Sequence, residues 1–78
     1  MRATPRQLEV LSAIRSAIRR DGWAPTRREL MAVFDWHSTN AATDHLLALE
    51  RKGLLRLGPG SRAIAITPAG DAALGGAP

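Results

Sequence analysis

The chain has 78 residues, enough for one small domain with a single modest hydrophobic core. It contains no cysteine, which excludes disulfides and thiolate metal sites. His37 and His45 stand too far apart in sequence to form a metal-binding pair on one helical turn, so we expect neither a metal nor another cofactor. The formal net charge is +4, from 11 basic and 7 acidic residues. This charge is compatible with nucleic-acid binding and equally common on ordinary soluble domains.

The sequence carries no signal for a membrane or for secretion. No apolar run approaches the about 20 residues that a membrane-spanning helix needs. Residues 1–5 also lack the apolar stretch of a signal peptide. We therefore expect a cytoplasmic protein without a membrane partner.

The first predicted element is a helix that starts at Pro5 and runs to about Arg20. Thr4 and Gln7 form a capping signal at its start, and a proline occupies the first helical position, where it is well tolerated. Gly22 ends the helix, and we expect Trp23 in the following loop to pack on the edge of the core rather than bind a ligand. Apolar residues at three- and four-residue spacing predict the buried face: Leu8, Val10, Leu11, Ile14, Ala17 and Ile18.

The stretch over residues 25–53 has the pattern of a helix-turn-helix. Thr26 and Glu29 form a capping box at the start of a short second helix. Ser38 supplies a fresh N-cap for a third helix over residues 39–52, which a glycine ends. In this motif the later helix enters the major groove of DNA.

The third helix is predicted to have two different faces. The core face holds Ala42, His45, Leu46 and Leu49. The opposite face holds Asn40, Ala41, Asp44, Leu47, Ala48 and Arg51. Side chains near the start of the helix can reach base edges, because asparagine pairs with adenine, hydroxyls serve either base, aspartate accepts from cytosine and an alanine methyl suits thymine. The alternative interpretation is that Ser38 and Asn40 only cap the helix and that Asp44 is merely solvated.

Beyond Gly53 the apolar period changes from helical to two. Two strands are predicted over residues 54–57 and 62–67, joined by a turn over residues 58–61 that is rich in glycine. Three helices followed by a hairpin predict a winged helix-turn-helix, mainly α with a small β-hairpin. Arg62, at the end of the turn, is placed to touch phosphate or to enter the minor groove.

The remaining residues complete a single domain. Residues 67–74 are predicted to form a short terminal turn of helix, and the sequence shows no internal repeat and no long linker. We therefore expect the winged-helix domain to cover residues 1–74 and residues 75–78 to form a flexible tail.

Four motifs give the stretch from Thr4 to Ile66 a resemblance to the N-terminal DNA-binding domain of the LexA repressor family. They are TPRQLEVL in the first helix, APTRREL in the second, STNAATDHLLALERKGLL in the third and GSRAI in the wing. The resemblance implies a transcriptional regulator, in particular a repressor, whose winged helix reads an operator half-site in double-stranded DNA.

The resemblance also implies roles for individual residues. The resemblance implies five base-reading residues: Ser38, Asn40, Ala41, Thr43 and Asp44. Thr39 is added because it lies at the start of the third helix. The resemblance also sets Arg27 against the DNA backbone. Other polar residues around the proposed DNA face are predicted to contact the backbone as well. The full predicted set is Arg27, Arg28, Arg51, Lys52, Ser61 and Arg62.

Four positions depart from the family pattern. Thr43 and Asp44 stand where two glutamates are usual, so we expect a different operator sequence. Asp35 stands at the turn glycine and tolerates the left-handed conformation less easily. Leu47 replaces a usual lysine and puts an apolar side chain on the supposed DNA face. A second interpretation therefore stays open, a protein-binding adaptor or inhibitor of a host factor that uses Trp36, Leu47 and Ala48 as its contact patch.

We expect no catalysis and no small-molecule substrate. Members of the family carry a C-terminal Ser/Lys peptidase domain, and this chain stops where that domain would begin. Ser61 and the histidines lack the pattern of nucleophile, base and orienting group. The dipeptide Ala69-Gly70 is one that such repressors cut, but ITPAGDAAL is also an ordinary winged-helix ending.

The resemblance leaves the chain as either a stand-alone regulator or an excised domain. One such module buries only about 600–1,000 Å² of protein surface on DNA, so tight operator binding is expected to need two copies on two half-sites. Without the peptidase domain, the homodimer is expected to form on the DNA itself. A protein partner belongs to the adaptor interpretation only.

Overall fold

The computed structural model describes residues 3–75, and this stretch is mostly helical with one two-stranded antiparallel hairpin. Its elements in chain order are α1 (Pro5–Asp21), α2 (Arg27–Phe34), α3 (Thr39–Arg51), β1 (Leu55–Leu57), β2 (Ile64–Ile66) and α4 (Pro68–Ala73). The predicted winged helix-turn-helix class is confirmed. Most of the predicted tail, residues 76–78, and residues 1–2 lie outside the described residues.

Helix α1 begins at the predicted capping box. The Thr4 hydroxyl accepts from the Gln7 backbone N–H at 3.1 Å, and the Gln7 side chain accepts from the Thr4 backbone N–H at 3.0 Å. Gly22 ends the helix with φ 86°, a left-handed conformation that glycine adopts without steric cost. The prediction for Leu8 was wrong, because this residue lies about 120° around the helix from the buried Ile14 and stays half-buried outside the core cluster.

The core lies where α1, α2 and α3 meet the hairpin. Its buried side chains are Val10, Leu11, Ile14, Leu30, Leu46, Leu49, Leu54 and Leu55. Leu55 pairs with Ile66 across the hairpin, so both strands turn an apolar side toward the helices. The strands are shorter than predicted. Leu54 and Thr67 lie outside them, and Arg62 and Ala63 belong to the loop between them, where Gly58 donates its N–H to the Ala63 carbonyl at 2.8 Å.

The tight turn between α2 and α3 forms without a glycine. Helix α2 starts at its capping box, with the Thr26 hydroxyl accepting from the Glu29 N–H and the Glu29 carboxylate accepting from the Thr26 N–H. It ends at Asp35, which has φ 55° and ψ 40° and fills the left-handed position as expected. Ser38 then caps α3, accepting from the Ala41 N–H at 3.4 Å.

The two tryptophans occupy different environments, and the prediction for Trp23 was wrong. Trp23 is 57% exposed, because the buried residues Ala24 and Pro25 fill the edge of the core in its place. Trp36 instead packs against the core, stacked between the rings of Phe34 at 4.9 Å and His45 at 4.7 Å. Trp36 therefore packs between α2 and α3 and stabilises the turn of the helix-turn-helix.

Helix α4 closes the domain beneath the hairpin. Thr67 caps it by accepting from the Gly70 N–H at 3.0 Å, and the same hydroxyl donates to the Gly53 carbonyl at 2.6 Å. Gly70 is buried, and a Cβ atom there would overlap the Leu54 carbonyl and lie 2.8 Å from the Ile66 Cγ2. The helix can approach the hairpin this closely only because the residue has no side chain.

Candidate DNA-binding interface

Helix α3 presents one continuous exposed stripe to solvent. Asn40, Asp44, Leu47 and Arg51 follow each other at four- and three-residue spacing, and all four are exposed. Ser38 and Thr39 are exposed as well, so the stripe begins at the capped end of the helix. The major groove of B-form DNA is wide enough to admit an α-helix, so the polar side chains of this stripe can face base edges.

The opposite side of α3 fixes the helix to the rest of the domain. Ala42, Leu46 and Leu49 are buried as predicted, whereas His45 is half-buried and stacks on Trp36. Because this face is held by the core, the exposed stripe has a defined orientation relative to α2. Ala41, a predicted base reader at the border between the two faces, is half-buried.

Thr43 is bound by the second helix. The Arg27 Nε donates to the Thr43 Oγ1 at 3.0 Å across 16 residues of sequence, and both residues are half-buried. The hydroxyl therefore uses one acceptor site within the protein and keeps its own proton to donate. This contact joins a predicted backbone residue to a predicted base-reading residue and fixes the start of α2 against α3.

The other cationic side chains near α3 differ in solvent exposure and in their contacts within the protein. Arg28 and Arg51 are exposed, as phosphate contacts require. Lys52 is half-buried, and its Nζ donates to the Gln7 side chain at 2.6 Å, which ties the end of α3 to the cap of α1. The structure therefore leaves two arginines of this group open to solvent and holds the lysine in a contact between helices.

The wing arginine is engaged within the protein. Arg62 Nη1 donates to the Ala24 carbonyl at 2.9 Å and to the Glu29 carboxylate at 2.8 Å, and its Nη2 donates to the same carboxylate at 3.1 Å. The guanidinium also lies over the Trp23 ring, 5.9 Å from its centroid. Ser61, the neighbouring predicted contact, is exposed at the tip of the wing.

Sequence reasoning missed this network. Arg62 and Glu29 lie 33 residues apart, so no local spacing connects them. The only available signal was that a capping-box glutamate keeps one carboxylate oxygen for a second partner.

The hydrogen bonds of this network lower the pKa of the Glu29 carboxyl. The hydrogen bond from Arg62, followed by the Thr26 backbone N–H, holds the pKa of Glu29 below its ordinary value of 4.5. A carboxylate with a depressed pKa contributes stability that is complete above the ordinary value and is lost as the pH falls through the depressed one. The adjacent Asp21 has a lowered pKa in the same direction, caused first by its hydrogen bond from Arg20.

We therefore expect the contact to break in acid, below the ordinary pKa of a glutamate. The indole N–H resonance of Trp23, followed by NMR, should move with a midpoint below pH 4.5, while that of Trp36 stays as a reference. Glu29→Gln should remove this transition and leave the capping box, since glutamine already caps α1 at Gln7. An identical acid transition in the Glu29→Gln chain would contradict the assignment.

The apolar patch of the adaptor interpretation is not assembled on the surface. Leu47 is 42% exposed, but Ala48 is half-buried and Trp36 is half-buried in the aromatic stack. Only one of the three side chains is therefore open to a partner. This arrangement corrects the patch that the sequence predicted.

Within residues 3–75, no three His, Asp or Glu side chains are grouped so that they could hold a metal ion. No helix in this part of the chain is both long enough and apolar enough to cross a membrane.

Comparison with known proteins agrees with this geometry. The family model described as "LexA DNA binding domain" matches residues 1–63. The chain belongs to the LexA DNA-binding domain family. Its matched segment includes α1, the whole helix-turn-helix, β1 and the wing turn with Arg62, so the family features and the exposed stripe lie in the same region.

Relatives in this family are similar over most of the chain. The LexA repressor of Ralstonia pickettii is 51% identical over 71 residues, covering 90% of this chain and 33% of the relative. The LexA repressor of Anaeromyxobacter dehalogenans is 53% identical over 74 residues, covering 94% of this chain and 32% of the relative. The chain thus spans about a third of the length of the curated relatives that it matches.

Proposed function

We propose that this chain is a sequence-specific double-stranded DNA-binding transcriptional regulator that acts as a repressor. Helix α3 enters the major groove and reads an operator half-site, and the wing around Arg62 lies against the backbone or the minor groove. The protein works in the cytoplasm, and the domain itself performs no catalysis. The repressor role rests on its relatives, which are named LexA repressors.

The observation that carries the proposal is the exposed stripe of α3. Asn40 and Asp44 stand in its first turns with complementary chemistry, since an amide pairs with adenine and a carboxylate accepts from the cytosine amino group. Ser38, Thr39, Ala41 and Thr43 complete the reading surface. Arg27, Arg28, Arg51, Lys52 and Ser61 surround it as proposed backbone contacts.

Two copies are proposed to bind one operator. The described domain offers a single reading helix, and one such module covers only a small protein–DNA area. Two half-sites about one helical turn apart, or a multiple of it, bring a second copy beside the first. The homodimer proposed here forms on the DNA.

Selection of binding sites from a pool of random duplexes tests this function. The purified chain should enrich one short motif, as an inverted pair at fixed spacing. Arg19→Ala, on the exposed outer side of α1, is the matched control and should enrich the same motif. A pool without any enriched motif after repeated rounds would overturn the proposal.

Leu47 provides a test that separates DNA binding from protein binding. Leu47→Lys should tighten binding to duplexes of any sequence, because the new cation lies near the phosphates and the leucine is already 42% exposed. Folding should be unaffected. Fluorescence anisotropy on a random-sequence duplex measures the gain, and Leu47→Gln, a neutral polar replacement, is the control. Unchanged DNA affinity together with loss of self-association in sedimentation would instead favour a protein contact at Leu47.

A further inference from the structure

The wing loop is held to the helix-turn-helix on both of its sides. Where β1 ends, the Glu50 carboxylate of α3 accepts from the Leu57 backbone N–H at 2.9 Å. Where the loop returns toward β2, Arg62 donates to the Glu29 carboxylate of α2. Each helix of the helix-turn-helix therefore contributes one glutamate that anchors the wing.

Arg62 forms the more extensive of the two anchors. Three of its hydrogen bonds remain within the protein, two to the Glu29 carboxylate in a fork and one to the Ala24 carbonyl. A bidentate arginine–carboxylate pair is directional and charge-assisted, and the Trp23 ring adds a cation–π contact. The guanidinium therefore joins the wing, the loop before α2 and the first turn of α2.

The wing needs such support because its strands are short. Each strand has three residues, and a two-stranded hairpin of this size is marginal by itself in water. Glu29 is also the residue whose carboxylate caps the start of α2. One side chain thus fixes both the beginning of α2 and the position of the wing.

We propose that Arg62 is a positioning residue, which anchors the wing to α2 so that the wing and α3 meet DNA as one rigid unit. This inference rests on the proposed function and revises the direct phosphate contact predicted for Arg62. Removal of a positioning residue lowers affinity but leaves the number of counterions released from the DNA unchanged, because the residue neutralises no phosphate. A phosphate ligand makes the salt dependence of binding less steep when it is removed.

Glu29 separates the two roles by the direction of its effect. If Arg62 left the carboxylate to reach a phosphate, the neutral Glu29→Gln would release the guanidinium and tighten binding. If Arg62 positions the wing, Glu29→Gln weakens binding in the same way as Arg62→Ala. In that case the two changes act on one contact and are not additive.

The experiment measures DNA affinity against salt for the full chain, Arg62→Ala, Glu29→Gln and the double variant on the selected duplex. We expect each single change to lower affinity severalfold, the double variant to bind no more weakly than the weaker single one, and the slope of log K against log salt to stay constant. Arg28→Ala, which removes an exposed arginine, is the control and should make that slope less steep by about one. The Trp23 indole N–H resonance should shift in all three anchor variants, while that of Trp36 should not.

A slope less steep by about one in Arg62→Ala, tighter binding by Glu29→Gln, or additive losses would each overturn the positioning role. An unmoved Trp23 resonance would overturn the anchor itself. A parent chain that binds no duplex would overturn the proposed function and the positioning role with it, and a normal Trp23 response would then assign the failure to DNA binding and not to the anchor.

Discussion

Asn40→Ala is expected to weaken binding to the selected operator by about 1–3 kcal/mol while leaving affinity for random DNA nearly unchanged. The side chain is exposed in the first turn of α3, where its amide can pair bidentately with an adenine edge. Removing it takes away a base contact but no charge. Discrimination should therefore relax at one base pair of each half-site and nowhere else.

Competition titrations with single-base operator variants measure this effect. Thr39→Ala, at the preceding exposed position, is a suitable companion because a hydroxyl serves either base and its loss should relax discrimination less. Equal losses on operator and on random DNA would refute the reading role of Asn40. Such a result would mean that Asn40 lies at the start of the helix without contacting a base.

Gly70→Ala is expected to destabilise the domain by about 1–3 kcal/mol, the usual range for overpacking a filled site. In an open helix the same change would stabilise, because alanine is the better helix former by about 1 kcal/mol. Here the added Cβ would overlap the Leu54 carbonyl and press against Ile66. The Leu54 carbonyl is part of the backbone and cannot yield as a flexible side chain can, so the clash outweighs the gain in propensity.

Thermal unfolding followed by circular dichroism checks the sign of this change. A domain of this size loses about 4–8 °C in Tm per kcal/mol, so the fall should be readily visible. Ala69→Ser, at the exposed neighbouring position, should leave Tm almost unchanged. A Tm equal to or above that of the parent would show that α4 does not pack against the hairpin through Gly70.

The packing of Gly70 also bears on the dipeptide Ala69-Gly70. Both residues lie inside α4, and Gly70 is buried against the hairpin. A peptide bond in a packed helix is not presented in extended form. The sequence ITPAGDAAL thus contains the closing helix of the winged fold, over Pro68–Ala73.

Sequence reasoning worked where the signal was local. The capping boxes at Thr4 and Thr26 join residues three apart, so their side-chain chemistry marks each helix start directly. The resemblance placed Asp35 at the turn glycine of the family, and its backbone takes the left-handed conformation that this position requires. The buried and exposed sides of α3 followed from helical periodicity.

Contacts between distant segments were not predictable in this way. Periodicity placed Arg62 at a wing tip, and tips are usually solvated, but the fold brings Glu29 within 2.8 Å of it. Trp23 was equally ambiguous, because an indole covers apolar surface and also binds a cation on its face. The link between Arg27 and Thr43 depends on how two helices cross, which neither helix specifies alone.

The exposed stripe of α3 is proposed as the surface that reads DNA. NMR titration of the isotope-labelled chain with its selected duplex tests this most directly. The largest amide shifts should fall on residues 38–44, smaller ones on the wing around Ser61, and almost none on the exposed outer side of α1 near Arg19. Shifts centred on α1 or α4, with the start of α3 unmoved, would show that another surface binds the duplex.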